Sequence, residues 1–190
     1  MSEPTSPRGV CAYCGSSPGA DPAYVEAASA LGSALGLQRI PLIYGGGQKG
    51  MMGALANAAL ASGGTVIGVI PQTMVEREWA HLGLSELLVV DTMHQRKAAM
   101  AARAQCYVAL PGGFGTLEEL AESLSWAQLA FHDQPLFLLN VHGYFDPLIA
   151  FLDRCVSEHF ADVAHRQLLH VVVDVASLLD HPLFPHQPQT

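Results

Sequence analysis

The chain alternates between two hydrophobic patterns. Short continuous apolar runs recur at Gly9–Cys14, Ile40–Tyr44, Thr65–Ile70, Leu87–Val90, Cys106–Leu110, Leu136–Asn140 and Leu168–Val173. Runs that stay apolar at every position, instead of every second one, are expected of strands covered on both faces. Between them, apolar residues return at helical spacing. The clearest case is Leu117, Leu120, Leu124 and Leu129, with Ala121 and Trp126 on the same segment. Asp21 followed by Pro22 is a cap and first-turn signal for a helix rich in Ala and Gly. Thr92 with Gln95 forms a capping box that opens another. Helices are also expected near Pro147–His159 and from Asp174. Strands and helices in regular alternation predict an α/β fold: a Rossmann-like, doubly wound, mainly parallel sheet of about seven strands with helices on both faces. One domain over residues 9–182 is expected, with a disordered lead at 1–8 and a flexible tail at 183–190.

Composition narrows the possibilities. Half of the 190 residues are hydrophobic and 14% are charged, too apolar for a disordered chain. No apolar stretch approaches the ~18 residues of a membrane span. The first residues do not read as a signal peptide, so a cytoplasmic protein is expected. The net charge is −8, and Lys49 and Lys97 are the only lysines. That balance argues against a nucleic-acid polymer as partner, which needs an extended basic face. A small anion would require a local cationic pocket. Cys11-x-x-Cys14 lacks a second such pair, and Cys11 and Cys106 fall within apparent buried strands. No metal and no cofactor is expected.

Two glycine-rich stretches interrupt strand-to-helix junctions. Gly45, Gly47 and Gly50 match the G-x-G-x-x-G spacing, but the place for the acidic residue of a dinucleotide fold holds Ile70 and Pro71. Gly50 is followed by Met51, so the run is not a Walker A loop either. It reads as a backbone cradle at the sheet edge, or as tight helix–strand packing. The second stretch, Pro111-Gly112-Gly113-Phe114-Gly115-Thr116-Leu117-Glu118-Glu119, follows an apolar strand and opens a helix. Backbone N–H groups there lack intrahelical partners and attract an anion. Thr116-x-x-Glu119 is equally a capping box, and sequence alone leaves both readings open. Upstream, Arg96 and Lys97 fall in the second turn of the helix begun at Thr92, the unfavourable end of its dipole for a cation. An anion drawn to that corner accounts for them better than solvation does. The loop Pro71–Leu84, carrying Glu76, Arg77, Glu78 and His81, lies where such sheets place binding residues.

Met93-His94-x-Arg96-Lys97 followed by Pro111-Gly112-Gly113-x-Gly115-Thr116-x-x-Glu119 resembles the signature of the LOG family, the cytokinin riboside 5′-monophosphate phosphoribohydrolases, often mislabelled as lysine decarboxylases. Tyr44-Gly45-Gly46-Gly47-x-x-Gly50-x-Met52-Gly53 and Cys14-Gly15-Ser16-Ser17 fit the same family, and the similarity runs from about Val10 to Leu183. The resemblance implies cleavage of the N-glycosidic bond of an adenosine monophosphate, releasing base and ribose 5-phosphate. It implies Arg96 and Glu119 as catalytic residues, with Gly112, Gly113, Gly115 and Thr116 around the phosphate. Glu78, Lys97 and Glu118 are implied as further substrate contacts. It also implies a helix-mediated homodimer, in keeping with the apolar content. Rival readings are a nucleotide N-ribohydrolase indifferent to the N6 substituent, a non-catalytic nucleotide or cofactor carrier, and a pyridoxal-phosphate lysine decarboxylase.

Overall fold

A computed structural model describes residues 7–77 and 79–186. The elements run β1 (Gly9–Tyr13), α1 (Pro22–Leu37), β2 (Leu42–Tyr44), α2 (Gly50–Ala61), β3 (Val66–Pro71), α3 (Gln72–Val75), β4 (Glu86–Val90), α4 (Met93–Arg103), β5 (Ala104–Ala109), α5 (Phe114–Gln128), β6 (Leu136–Leu139), α6 (Asp146–Ser157), α7 (Val163–Arg166), β7 (Leu169–Val172) and α8 (Val175–Leu179). All seven expected strands are present. They pair in parallel throughout, in the order β4-β3-β2-β1-β5-β6-β7.

Strand geometry divides the core in two. Val10, Leu42, Tyr44, Cys106, Val108 and Phe137 face a layer built on Leu31 and Leu35 of α1, Leu55 and Ala59 of α2 and Leu178 of α8. Cys11, Tyr13, Ile43, Val69, Tyr107 and Leu138 face the other side, with Met100 of α4, Leu120 of α5 and Phe145 at the start of α6. Successive strand residues point to opposite faces, so each apolar run supplies both layers at once. The Ala- and Gly-rich composition of α1 permits close helix–helix contact. A β-carbon on Gly32 would stand 2.2 Å from the Leu55 carbonyl oxygen, so α1 lies close against α2 as well as over the sheet.

Cap signals are realised in most places. Asp21 accepts from Ala23 N–H at 2.9 Å, and Asp174 from Ser177 N–H at 2.7 Å. The Thr92 hydroxyl accepts from Gln95 N–H at 3.1 Å while the Gln95 carbonyl oxygen accepts from Thr92 N–H at 3.3 Å. Phe184 is only 2% exposed and meets Phe137 edge-on, with ring centroids 6.1 Å apart. Packing therefore continues beyond residue 182, where the sequence reading began a flexible tail, because an aromatic ring there closes the end of the core. Residues 1–6 of the expected lead and 187–190 of the expected tail lie outside the described residues. No described helix is long and apolar enough to cross a membrane.

What this topology contributes to function is a seam. Successive strands run outward from β1 through β2, β3 and β4, and the order reverses at β5. Loops leaving the C-terminal ends of β1 and β5 therefore part to opposite faces, and such a crevice is where open α/β sheets bind ligands. Gly15 lies in that crevice. It donates to the Pro111 carbonyl at 3.0 Å, and its own carbonyl accepts from Met52 N–H at 3.2 Å. One residue thus ties the loop after β5 to the first turn of α2.

Candidate active site

The crevice opens into a cleft of about 410 Å³, within the usual ~300–1,000 Å³ of small-molecule sites. One wall is the start of α5, with Gly113, Phe114, Gly115, Thr116 and Glu119. The facing wall is the first glycine run, with Gly45, Gly47, Gln48 and Lys49, then Met52. Ile70, Met74, Trp79 and Met93 supply an apolar side.

Helix α5 begins one turn earlier than a capping box at Thr116 requires. Gly113 is the N-cap and makes no side-chain cap, so Thr116 is already the third helical residue. Glu119 does not reach back to a backbone N–H. Its Oε1 accepts from Arg96 Nη1 at 2.8 Å, and the two residues are 4% and 5% exposed. The capping reading of Thr116-x-x-Glu119 is thereby excluded: the carboxylate is spent on a cross-helix ion pair.

Arg96 is fixed from three sides. Its Nε donates to the Val69 carbonyl at the end of β3 at 3.0 Å, and Nη1 holds Glu119. A β-carbon on Gly45 would stand 1.9 Å from Nη2, so the glycine after β2 makes the space the guanidinium fills. The first glycine run is thus in part a packing device, as its alternative reading held. Gly50, with φ +58°, rests on the Ser16 carbonyl, while Gly45 and Gly47 also line the cleft. The expected anion at the Arg96–Lys97 corner is supplied by the chain itself. Lys97 pairs with Glu118 and, at 2.9 Å, with Glu122, both on α5. Neither Lys97 nor Glu118 is among the cleft-lining residues.

The remaining motif glycines divide by role. On Gly112 a β-carbon would meet Thr116 Oγ1 at 2.1 Å and Gly15 N at 2.8 Å, so its smallness is needed for internal packing. Its carbonyl accepts from the Tyr144 hydroxyl at 2.6 Å. On Gly113 and Gly115, β-carbons would meet nothing within 4 Å, and neither residue has positive φ. The chain gives no internal reason for glycine at either position. Both line the cleft at a helix N-terminus with no side-chain cap, where free backbone N–H groups attract negative charge. Glu78 lies outside the described residues.

Burial raises the Glu119 pKa above the ordinary carboxylate value; Arg96 opposes the rise and Glu118 adds to it. Desolvation wins because the carboxylate is almost wholly removed from water. Ionising it therefore opposes folding: stability is highest below the unfolded-state pKa and falls as pH rises through the folded one. Glu119 Oε2 accepts no hydrogen bond from a described residue, which leaves that oxygen for a ligand. Cys14 also lines the cleft, but burial raises its pKa well above the thiol range, so it stays protonated. Among the described residues no group of three or more His, Cys, Asp or Glu is placed to hold a metal. Sequence reasoning missed Trp79, Met74, Ile70 and Met52 on the apolar side, and also Lys49. The position of residues 74 and 79 in the long β3–β4 loop was the available signal for two of them.

A parallel sheet with its reversal point beside an uncapped, glycine-lined helix N-terminus defines a Rossmann-like protein with a cleft at that helix end. A sequence-family model described as "Possible lysine decarboxylase" matches residues 52–181. A probable cytokinin riboside 5′-monophosphate phosphoribohydrolase of Oryza sativa subsp. japonica is 46% identical over 181 residues, covering 95% of this chain and 79% of the relative. A cytokinin riboside 5′-monophosphate phosphoribohydrolase of Arabidopsis thaliana is 48% identical over 160 residues, covering 84% and 74%. The chain belongs to this family, the LOG family. Among solved structures, the molybdenum cofactor binding protein of Rippkaea orientalis superposes with a TM-score of 0.67 at 19% identity, covering 92% of this chain and 95% of that one. The Moco carrier protein of Chlamydomonas reinhardtii does so with 0.66 at 23%, covering 90% and 93%. These two likenesses show the fold.

The open space at Gly115 gives a two-sided test. Replacing a first-turn helical glycine by alanine stabilises a helix by about 0.5–1 kcal/mol where nothing clashes. Gly115→Ala should therefore raise the urea midpoint slightly while weakening ribose 5-phosphate binding by about tenfold or more, ~1.4 kcal/mol. Calorimetry on the variant that finds native affinity would remove Gly115 from the anion site.

Proposed function

We propose that the protein hydrolyses the N-glycosidic bond of an adenosine 5′-monophosphate, preferentially one carrying an N6 substituent, to give free base and ribose 5-phosphate. The observation that carries this reading is the buried Arg96–Glu119 pair in the cleft wall formed by the glycine-lined start of α5. Membership of the LOG family supports it.

The 5′-phosphate sits against the first turn of α5, where Gly113 and Gly115 let it approach the backbone N–H groups. The ribose then lies along Glu119, and the purine with its N6 substituent lies against Ile70, Met74, Trp79 and Met93. As the bond from C1′ to N9 breaks, its electron pair leaves with the base, and positive charge grows on C1′ and the ring oxygen. Glu119 Oε2 faces that charge or orients the water that attacks C1′; the water's hydroxyl stays on ribose and its proton balances the departing base. Arg96 keeps the carboxylate aimed through Oε1. Remote phosphate binding holds the sugar in place for the reaction.

A carrier reading has one observation in its favour, the fold shared with two cofactor-binding proteins, but fold alone does not fix function. A pyridoxal-phosphate decarboxylase does not fit the residues. Lys97 is held by two carboxylates and is not among the cleft-lining residues, and the one carboxylate lining the cleft among the described residues is committed to Arg96. A cytoplasmic location belongs to the same proposal and is supported by four free cysteines, three of them buried; secretion of the protein with a cleaved leader would refute it. So does a homodimer: Phe131, Phe151 and Phe160 are exposed large apolar groups on or beside α5 and α6. Light scattering at micromolar concentration should return twice the 20.2 kDa chain mass, and a monomer mass would end that part of the proposal.

AMP or its N6-isopentenyl analogue should release base, seen by chromatography, while the matching nucleosides stay nearly inert. Equal turnover of adenosine and AMP would remove the phosphate from the mechanism. Glu119→Gln keeps size and hydrogen-bonding capacity but removes charge. It should lower kcat at least a hundredfold, on the order of 3 kcal/mol, and leave nucleotide binding in place. Near-native kcat in that variant, or recovery of intact nucleotide from the wild type, would favour the carrier.

A further inference from the structure

We propose that Lys49 is the counter-ion of the substrate's 5′-phosphate, a role that rests on the hydrolase reading above. A phosphate monoester arrives with up to two negative charges, and the α5 cradle offers backbone N–H groups but no cation. The cations of the sequence motif are engaged elsewhere. Arg96 is neutralised by Glu119, and Lys97 by Glu118 and Glu122. Of the charged cleft-lining residues among those described, Lys49, Arg96 and Glu119, only Lys49 is uncompensated: its ammonium makes no hydrogen bond or ion pair with any described residue. In a chain of net charge −8, this makes the cleft a locally positive recess.

Helix formation does not explain a lysine here. Lys49 is the N-cap of α2 and makes no side-chain cap. Ser, Thr, Asp and Asn are the residues that stabilise that position, and a cation beside a helix N-terminus is disfavoured. Its distance from the cradle is set by Gly15. That residue bonds Pro111 on one side and Met52 on the other, and a β-carbon on it would lie 3.4 Å from Gly112 Cα. The starts of α2 and α5 therefore flank one turn, Cys14–Ser16, all three residues of which line the cleft. A flexible four-carbon stem rising from the first of these helices carries a point charge over an anion held by the second.

The test compares wild type, Lys49→Met and Lys49→Arg. Lys49→Met keeps most of the stem and removes the charge, and its melting temperature should stay within about 2 °C of wild type. It should raise KM for AMP about tenfold with kcat within about threefold, the pattern of lost binding shared by ground and transition states. Its Kd for ribose 5-phosphate by calorimetry should rise by the same factor, and its dependence of KM on salt should flatten. Lys49→Arg should recover most of the loss. Unchanged KM and Kd in Lys49→Met would overturn the proposal, and so would a fall confined to kcat, which would put the ammonium at the departing base instead. If wild type releases no base, the hydrolase reading fails, and the calorimetric arm still decides whether Lys49 binds the phosphate. Should Lys49→Met fold poorly, Lys49→Gln serves the same comparison.

Discussion

A guanidinium and a carboxylate are withdrawn from water together at the C-terminal edge of this sheet, and much of the surrounding sequence is arranged to permit it. Burying either ion alone would be costly, and the pair is tolerated only because the geometry leaves little unmet. Val69 provides a carbonyl, Gly45 provides room, and the adjacent Lys97–Glu118–Glu122 contacts clasp α4 to α5 so that position 96 meets position 119. A pair so placed is a weak source of stability. Desolvation holds the Glu119 pKa up even with arginine in contact.

Secondary structure was legible because each strand is built on a short apolar run and α1, α4 and α8 open on side-chain caps. Where capping logic failed, it failed at Thr116-x-x-Glu119, a spacing that serves equally for a local box and for a carboxylate aimed across to another helix. Only the position of Arg96 separates the two, and that contact spans residues far apart in the chain. The glycine runs were legible as close approaches but not as to what approaches. Gly45 yields to a guanidinium, Gly112 to Thr116, and Gly113 and Gly115 to nothing in the chain. Lys49 and Trp79 enter the cleft through the packing of the β3–β4 loop on the first glycine run. Gly47 and Ala80 form a bridge there, and Gln48 N–H donates to the Trp79 carbonyl at 3.1 Å. No local pattern announces such a pairing.

The same fold occurs in proteins named for binding or carrying a cofactor. Here Glu119 commits one oxygen to Arg96 and keeps the other uncommitted.

The cleft draws its two ends from parts of the chain with different mechanical footing. The glycine-lined end and Glu119 belong to α5, joined to the interior strand β5 by only Leu110–Gly113, whereas Met74 and Trp79 come from the excursion between β3 and the edge strand β4. Substitutions in that excursion reshape the apolar side without disturbing the elements that hold the ion pair. On the proposed function, base preference and bond-breaking would then be separable traits, so a lineage could retune which purine it accepts by drift in one peripheral loop while the chemistry is inherited intact.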